Sequence, residues 1–445
     1  MFCKQEVKAM KYVIIGGDAA GMSAAMEIVR NEEAANITTL EMGSIYSYAQ
    51  CGLPYVVGGV IPQTEKLIAR TIETFRNKYG IDARTNHEVT KIDPDSKHVY
   101  GANFEIPYDK LLIATGARPL VPNWPGRTLA GIHTIKTIPD TEVLLADLKG
   151  EIKNVVIVGG GYIGLEMAEN LALTGKNVTI VEANAQLAAI FDQEMGEIIH
   201  QEAERKGVTL RLKEEVKGFE GTDRVQAVVT SSATVPAELV IIAIGVVPNT
   251  TFLEGQPFHR HENSALKVNA YMETNLPDIY AAGDCATQYH RIKKLDDYIP
   301  LGTHANKQGR LAGLNMVGKR RAFAGVVGTS IIKFFDLSLG RTGLSEKETR
   351  DARLPASSIT FDGRDIAGYY PGAEPLKIKL VYHSETNQLL GGQVIGTNGV
   401  AKRVDVLATA LYQQLTLEEL LDLDLSYAPP FNGVWDPIQQ AARRA

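Results

Sequence analysis

The sequence predicts an α/β protein with two Rossmann-like dinucleotide-binding domains followed by a C-terminal α+β domain, and three observations carry that prediction. A strand, glycine turn, helix and strand follow one another between Lys11 and Glu41; the same pattern returns between Asn154 and Glu182; and from about Val326 the composition shifts to strand-like stretches followed by a helix. At 445 residues the chain exceeds what one hydrophobic core holds, so two to four domains are expected.

In the first unit the apolar run Tyr12 to Ile15 reads as a buried strand, Gly16-Gly17-Asp18-Ala19-Ala20-Gly21 as the turn, and the small-residue stretch after it as a helix. Ile37 to Leu40 closes the unit and ends in Glu41. The second unit repeats this with Val155 to Val158, Gly159-Gly160-Gly161-Tyr162-Ile163-Gly164, a helix through Leu171, and Val178 to Val181 ending in Glu182. Two apolar strands run into glycine, Leu111 to Ile113 before Ala114-Thr115-Gly116 and Ile241 to Ile244 before Gly245, where a doubly wound sheet adds a late strand beside its ligand. A further buried strand ends at Ala282-Gly283-Asp284. In the tail, strands are expected at Ser330 to Phe335, Lys377 to Tyr382 and Leu389 to Ile395, and a helix over Ala401 to Gln414.

A net charge of −6 from 46 basic and 52 acidic residues, interleaved along the chain, provides no basic stripe for nucleic acid. No apolar run reaches the ~18 residues of a membrane helix, and Met1 to Met10 lack the apolar core of a signal peptide, so no membrane partner and a cytoplasmic location are expected. Met1 to Ala9 read as a tail or an upstream start. Cys3, Cys51 and Cys285 are odd in number and widely spaced, which fits neither a disulfide framework nor a metal site and points to a reducing compartment.

Gly159, Gly161 and Gly164 complete a G-x-G-x-x-G, in which glycine permits the tight turn, the approach of a pyrophosphate and the packing of helix on strand. Amides at the helix start then hold the phosphates. Glu182 suits the two hydroxyls of an adenosine ribose, and Ala183 to Asp192 contain no Arg or Lys for a 2′-phosphate, which favours NADH over NADPH. The first loop departs from the pattern because Asp18 takes the middle glycine position; Glu41 and Gly283-Asp284 support a dinucleotide there nonetheless. Asp284 suits a flavin hydroxyl or phosphate linkage, and equally a helix N-cap.

Cys51 stands in Ser47-Tyr48-Ala49-Gln50-Cys51-Gly52-Leu53-Pro54-Tyr55, beside the first unit and ahead of a Gly58-Gly59 break. A helix start there would place dipole and free amides on a thiolate. An arbitrary cysteine is more often an inert small hydrophobe, which is the reading for Cys285, while Cys3 falls in the tail.

In order, Gly16 to Gly21, Cys51, Ala114-Thr115-Gly116, Gly159 to Gly164 and Thr274 to Asp284 resemble the pyridine nucleotide-disulfide oxidoreductase family, from Lys11 to the C-terminus. Val56 stands where the two-cysteine branches carry a second cysteine, so the chain looks most like the single-cysteine branch, and within it like the coenzyme A disulfide reductases. Ala19 replaces the histidine of the oxidases and peroxidases, and Cys-Gly-Leu-Pro-Tyr at Cys51 to Tyr55 and Tyr427-Ala428-Pro429-Pro430 resemble the coenzyme A users. The resemblance implies FAD held by Gly16, Gly17, Ala19, Ala20, Gly21, Glu41, Val89, Ala114, Thr115, Gly116, Gly283 and Asp284. It implies NADH or NADPH on Gly159, Gly161, Tyr162, Ile163, Gly164, Glu182 and Gly245, with Tyr162 as a gate over the flavin. Coenzyme A would meet Ser23, Arg30, Ser47, Gln50, Arg70 and Asn306, and a homodimer would bring Tyr427 and Tyr369, or Tyr370, of the second subunit to Cys51.

The domains implied are 10–120 with 252–325 for FAD, 121–251 for NAD(P)H and 326–445 for dimerisation. The expected activity is NAD(P)H-dependent reduction of coenzyme A disulfide through a Cys51 mixed disulfide. Competing readings are an NADH oxidase or peroxidase using Cys51 sulfenic acid, a coenzyme A persulfide reductase, a kind that often but not always carries an added rhodanese domain, and a redox sensor without turnover. The complete second glycine loop argues against the sensor.

Overall fold

The computed structural model describes residues 9–445, so Cys3 lies outside the described residues. The first unit opens with β1 (Lys11–Ile15), α1 (Ala19–Asn31) and β2 (Asn36–Leu40), followed by the short α2 (Leu53–Val57). Its sheet is parallel throughout, in the order Asp82–Arg84, β2, β1, Lys110–Ile113, Ile279–Ala281. The second unit is built alike: Thr209–Leu212, Asn177–Glu182, Asn154–Val158, Leu239–Ile242 and Ile132–His133 run parallel in that order. In both, the expected late strand lies directly beside the first strand, because continuous apolar runs such as Leu111-Leu112-Ile113 are buried on both faces of a parallel sheet.

The chain returns to the first sheet through Ile279–Ala281 and then enters the helix Gly302–Met316, which crosses α1. That crossing is close because Gly309 and Gly313 face the backbone of Ala20 and Ala24; an added Cβ would lie 2.1 Å and 2.5 Å from their carbonyl oxygens. A pair of strands, Ala117–Pro119 and Val246–Pro248, links the two units edge to edge.

The C-terminal part is an antiparallel sheet in the order Ser330–Phe334, Leu337–Gly343, Leu389–Gly396, Pro375–His383, Ala356–Arg364, covered by the helix Val400–Gln413. Two of these strands escaped the sequence reading. Leu337–Gly343 is rich in glycine and polar residues, yet Gly340 is needed where a Cβ would meet Val404 at 2.5 Å; Ala356–Arg364 is a half-exposed edge strand. No described helix is long and apolar enough to cross a membrane.

Candidate active site

The two glycine loops have the same construction. Gly16 and Gly159 adopt φ of +115° and +104°, and a Cβ on them would lie 2.1 Å from the Ala114 oxygen and 2.5 Å from the Ala243 oxygen. Both loops therefore press against the late strand, a contact only glycine allows. Gly21 and Gly164 face the carbonyls of Gly16 and Gly159, 2.0 Å from a hypothetical Cβ in each case, and so hold each helix on its strand. The amides of Gly17 and Gly160 donate to Glu41 and Glu182 at 2.7 Å, and each carboxylate also caps the following turn, at Gly43 and Asn184. Neither helix start is closed by a side chain: Asp18 and Gly161 are extended N-caps without a side-chain capping bond.

A cavity of about 2790 Å³ runs between the loops, several times the volume of a single small-ligand pocket. Every residue expected to bind cofactor lines it except Gly21 and Gly164, which serve helix packing. A Cβ on Gly116, Gly161 or Gly245 would project into open space, so a ligand can lie against their backbones. The residues present thus fit two dinucleotides: two uncapped helix starts for the phosphates and two strand-end glutamates for the riboses.

Cys51 sits in the single turn Gln50–Gly52 ahead of α2 and opens into this cavity, while Cys285 is fully buried and donates weakly to the carbonyls of Ile113 and Ala282. The helix start expected at Cys51 is present, and the side chains around it work against the thiolate. Burial against the cavity wall, aided by the Glu166 and Asp284 carboxylates, pushes the thiol up, and Lys136 opposes this only in part. Asp284 caps no helix; it turns toward Lys136, 3.6 Å away.

Two carboxyls on the cavity wall hold their protons more tightly than usual. Glu166 is pushed up to about 7 by burial and accepts from the Tyr55 hydroxyl at 3.5 Å; Tyr55 itself is pushed up to about 12. Asp18 is pushed up to about 6, again by burial, and accepts from Gln50 Nε2 at 2.8 Å. Tyr162 begins the second helix and its hydroxyl meets Ser330.

Of the residues expected to contact coenzyme A, Gln50 and Asn306 line the cavity, and Ser23 donates to Asn306 at 2.8 Å. Ser47 holds the left-handed conformation, φ +48°. Arg30 is exposed and paired with Glu27 at 2.7 Å, and exposed Arg70 stands 6.0 Å from the Tyr79 ring. Tyr369 and Tyr427 are brought together, hydroxyl to hydroxyl at 3.1 Å, on the outside of this chain and away from its own Cys51. Tyr370 is not part of that bond.

Lys136, Glu166 and Gln308 were not found from the sequence, and Tyr55 was named there only as the end of the Cys51 motif. Gln308 is fully buried and its Oε1 accepts the Gly283 amide at 3.0 Å. Glu166 left only a weak signal, one of two acids, with Glu169, on a largely apolar helix; Lys136 left none, since only tertiary folding sets it beside Asp284.

Comparison with known proteins places the chain in a family. Residues 10–309 match the pyridine nucleotide-disulphide oxidoreductase family, and residues 329–437 match that family's dimerisation domain. The chain is 40% identical over 437 residues to an NAD(P)H coenzyme A polysulfide/persulfide reductase of Pyrococcus horikoshii, covering 97% of this chain and 98% of the relative. It is 30% identical over 443 residues to a coenzyme A disulfide reductase of Staphylococcus aureus, covering 98% and 99%. The solved water-forming NADH oxidase of Lactobacillus brevis, bound to NADH, superimposes with a TM-score of 0.94 at 29% identity, covering 98% of each chain. This chain belongs to the pyridine nucleotide-disulphide oxidoreductase family and is an FAD-dependent NAD(P)H oxidoreductase.

Proposed function

We propose that the protein reduces coenzyme A disulfide, or the persulfide of coenzyme A, with NAD(P)H, through Cys51. The observation that carries this reading is that Cys51 is the one thiol among the described residues that opens into the cavity between the two glycine loops, with buried Val56 where a second cysteine would stand. FAD on the first loop and NAD(P)H on the second supply the electron pair. Glu41 and Glu182 take the riboses, Gly16 to Gly21 and Gly159 to Gly164 the phosphates, and Tyr162 lies at the entrance to the second helix.

The Cys51 thiolate attacks one sulfur of the disulfide, forming a Cys51–coenzyme A mixed disulfide and releasing one coenzyme A thiolate. That thiolate takes a proton from the Tyr369–Tyr427 pair of a second subunit. The electron pair that bound FAD would supply would then cleave the mixed disulfide, releasing the second coenzyme A and returning Cys51 to the thiolate that begins the next turnover, with solvent re-protonating the tyrosine. Gln50 and Asn306 hold the coenzyme A arm in the cleft, with Ser23 and Ser47 beside them and Arg30 and Arg70 toward its phosphates. The domain limits given above, 10–120 with 252–325, 121–251 and 326–445, describe these three roles.

Intact mass of the unreduced protein before and after dithiothreitol tests this directly. The wild type loses one coenzyme A mass and Cys51→Ser loses nothing. An adduct of one or two oxygen atoms instead supports the NADH oxidase or peroxidase reading. Coenzyme A persulfide is assayed beside the disulfide because the Pyrococcus horikoshii relative is named for it.

A further inference from the structure

Asp18 occupies the position at which a dinucleotide loop ordinarily carries glycine, and at which aspartate ordinarily caps its own helix. It does neither. Its backbone is that of an N-cap, φ −117° and ψ −153°, but the side chain makes no capping bond to α1. The carboxylate turns instead to Gln50, whose Nε2 donates to Oδ2 at 2.8 Å. A second tie joins the same two segments: the Ser47 amide donates to the Gly17 carbonyl at 3.0 Å, with Ser47 in the left-handed conformation at φ +48°. On its far side the segment is held by Ala49 on Leu67 and Ala69 on Ser47, at 2.9 Å and 2.8 Å, both ahead of Gln50.

We propose that Asp18 is a positioning residue: it clasps Gln50, and through Gln50 the turn that presents the Cys51 sulfur, to the first glycine loop. The turned carboxylate also leaves the start of α1 open for phosphate, which a capping aspartate would obstruct by like charge. Burial that raises the Asp18 carboxyl to about 6 makes this an expensive place for an acid, and the Gln50 bond is one of the contacts that offset it.

This inference rests on the Cys51 disulfide reading, and its test separates the two. Steady-state coenzyme A disulfide reduction is measured on flavin-loaded wild type, Asp18→Ala, Asp18→Asn, Gln50→Ala and the Asp18→Ala/Gln50→Ala double variant, with Cys51 alkylation by iodoacetamide in parallel. Loss of one charge-assisted hydrogen bond predicts that Asp18→Ala raises KM about tenfold with kcat changed less than about threefold, and that Gln50→Ala, which also gives up its own hold on coenzyme A, raises KM at least as much. Asp18→Asn keeps an acceptor oxygen and stays within about threefold of wild type, and the double variant is no worse than Gln50→Ala by more than about twofold. Additive effects, an asparagine as impaired as the alanine, or loss of flavin with unchanged KM in the loaded fraction would overturn the clasp. If wild type leaves the disulfide unreduced, the substrate reading fails, and alkylation decides alone. Equal shifts in Asp18→Ala and Gln50→Ala, not exceeded in the double variant, support the clasp, and unequal or additive shifts refute it.

Discussion

Cys51 opens into the cavity between the glycine loops, where Glu166 and Asp284 oppose its ionisation and Lys136 favours it. A short turn before a short helix suggested a stabilised thiolate, whereas the folded surroundings add partial desolvation and two carboxylates that raise the thiol. The sign has a consequence: removing the Glu166 charge favours the thiolate, so Glu166→Gln lowers the pH midpoint of Cys51 alkylation and speeds alkylation at neutral pH, as read by mass against time. Glu182 supplies a second prediction at this scale. Its Oε2 accepts the Gly160 amide and its Oε1 both the Asn184 amide and side chain, at 2.7, 2.7 and 2.6 Å, which orients the carboxylate toward a ribose. Glu182→Ala is expected to raise KM for NADH by about tenfold or more and to narrow the preference over NADPH, since hydrogen bonds to a charged group contribute ~1.5–3 kcal/mol.

Among the elements, those with continuous apolar runs and glycine punctuation were read correctly because burial on both faces leaves them no other pattern. Leu337–Gly343 and Ala356–Arg364 were missed for opposite reasons: one is central but needs small residues under the covering helix, the other is an edge and carries polar ones. Contact of helix on helix is the feature most open to test. Gly309→Ala drives a methyl group toward the Ala20 carbonyl, 2.1 Å away, and α1 must move. The expected result is a loss of about 1–3 kcal/mol, seen as a lower urea midpoint, together with weaker flavin retention because Ala20 lines the cavity.

For the molecule as a whole, the second unit and the C-terminal sheet are joined by a buried cation. Lys379 is 1% exposed and pairs with Asp192 at 3.2 Å, Glu194 at 2.5 Å and Glu346 at 3.0 Å, while Gln393 donates to Asp192 at 2.6 Å. Glu194 and Glu346 are partly exposed and screened, so the penalty of Lys379→Met falls chiefly on Asp192; about 3 kcal/mol is expected from chemical denaturation. The placement of Tyr369 and Tyr427 outside their own cleft leads to a complementation test of the proposed dimer. Cys51→Ser and the Tyr369→Phe/Tyr427→Phe variant are each expected to be impaired, and unfolding and refolding them together should restore about a quarter of wild-type activity, because half the dimers are mixed and each mixed dimer holds one complete site. No recovery beyond the sum of the separate variants would place the tyrosines outside the partner's site.

The sequence by itself determined the two dinucleotide units, their order, the glycines that shape them, the strand-end glutamates and the place of Cys51 beside the first unit. Each of these is a local demand of backbone geometry or of a short strand-turn-helix pattern. Only the tertiary structure decided what surrounds Cys51. Asp18, Lys136, Glu166 and Asp284 come from four segments far apart in the chain, and it is burial in a common cavity that gives their charges weight. It also decided that Tyr369 meets Tyr427, two loops 58 residues apart whose hydroxyls touch because the C-terminal chain folds back across its own sheet.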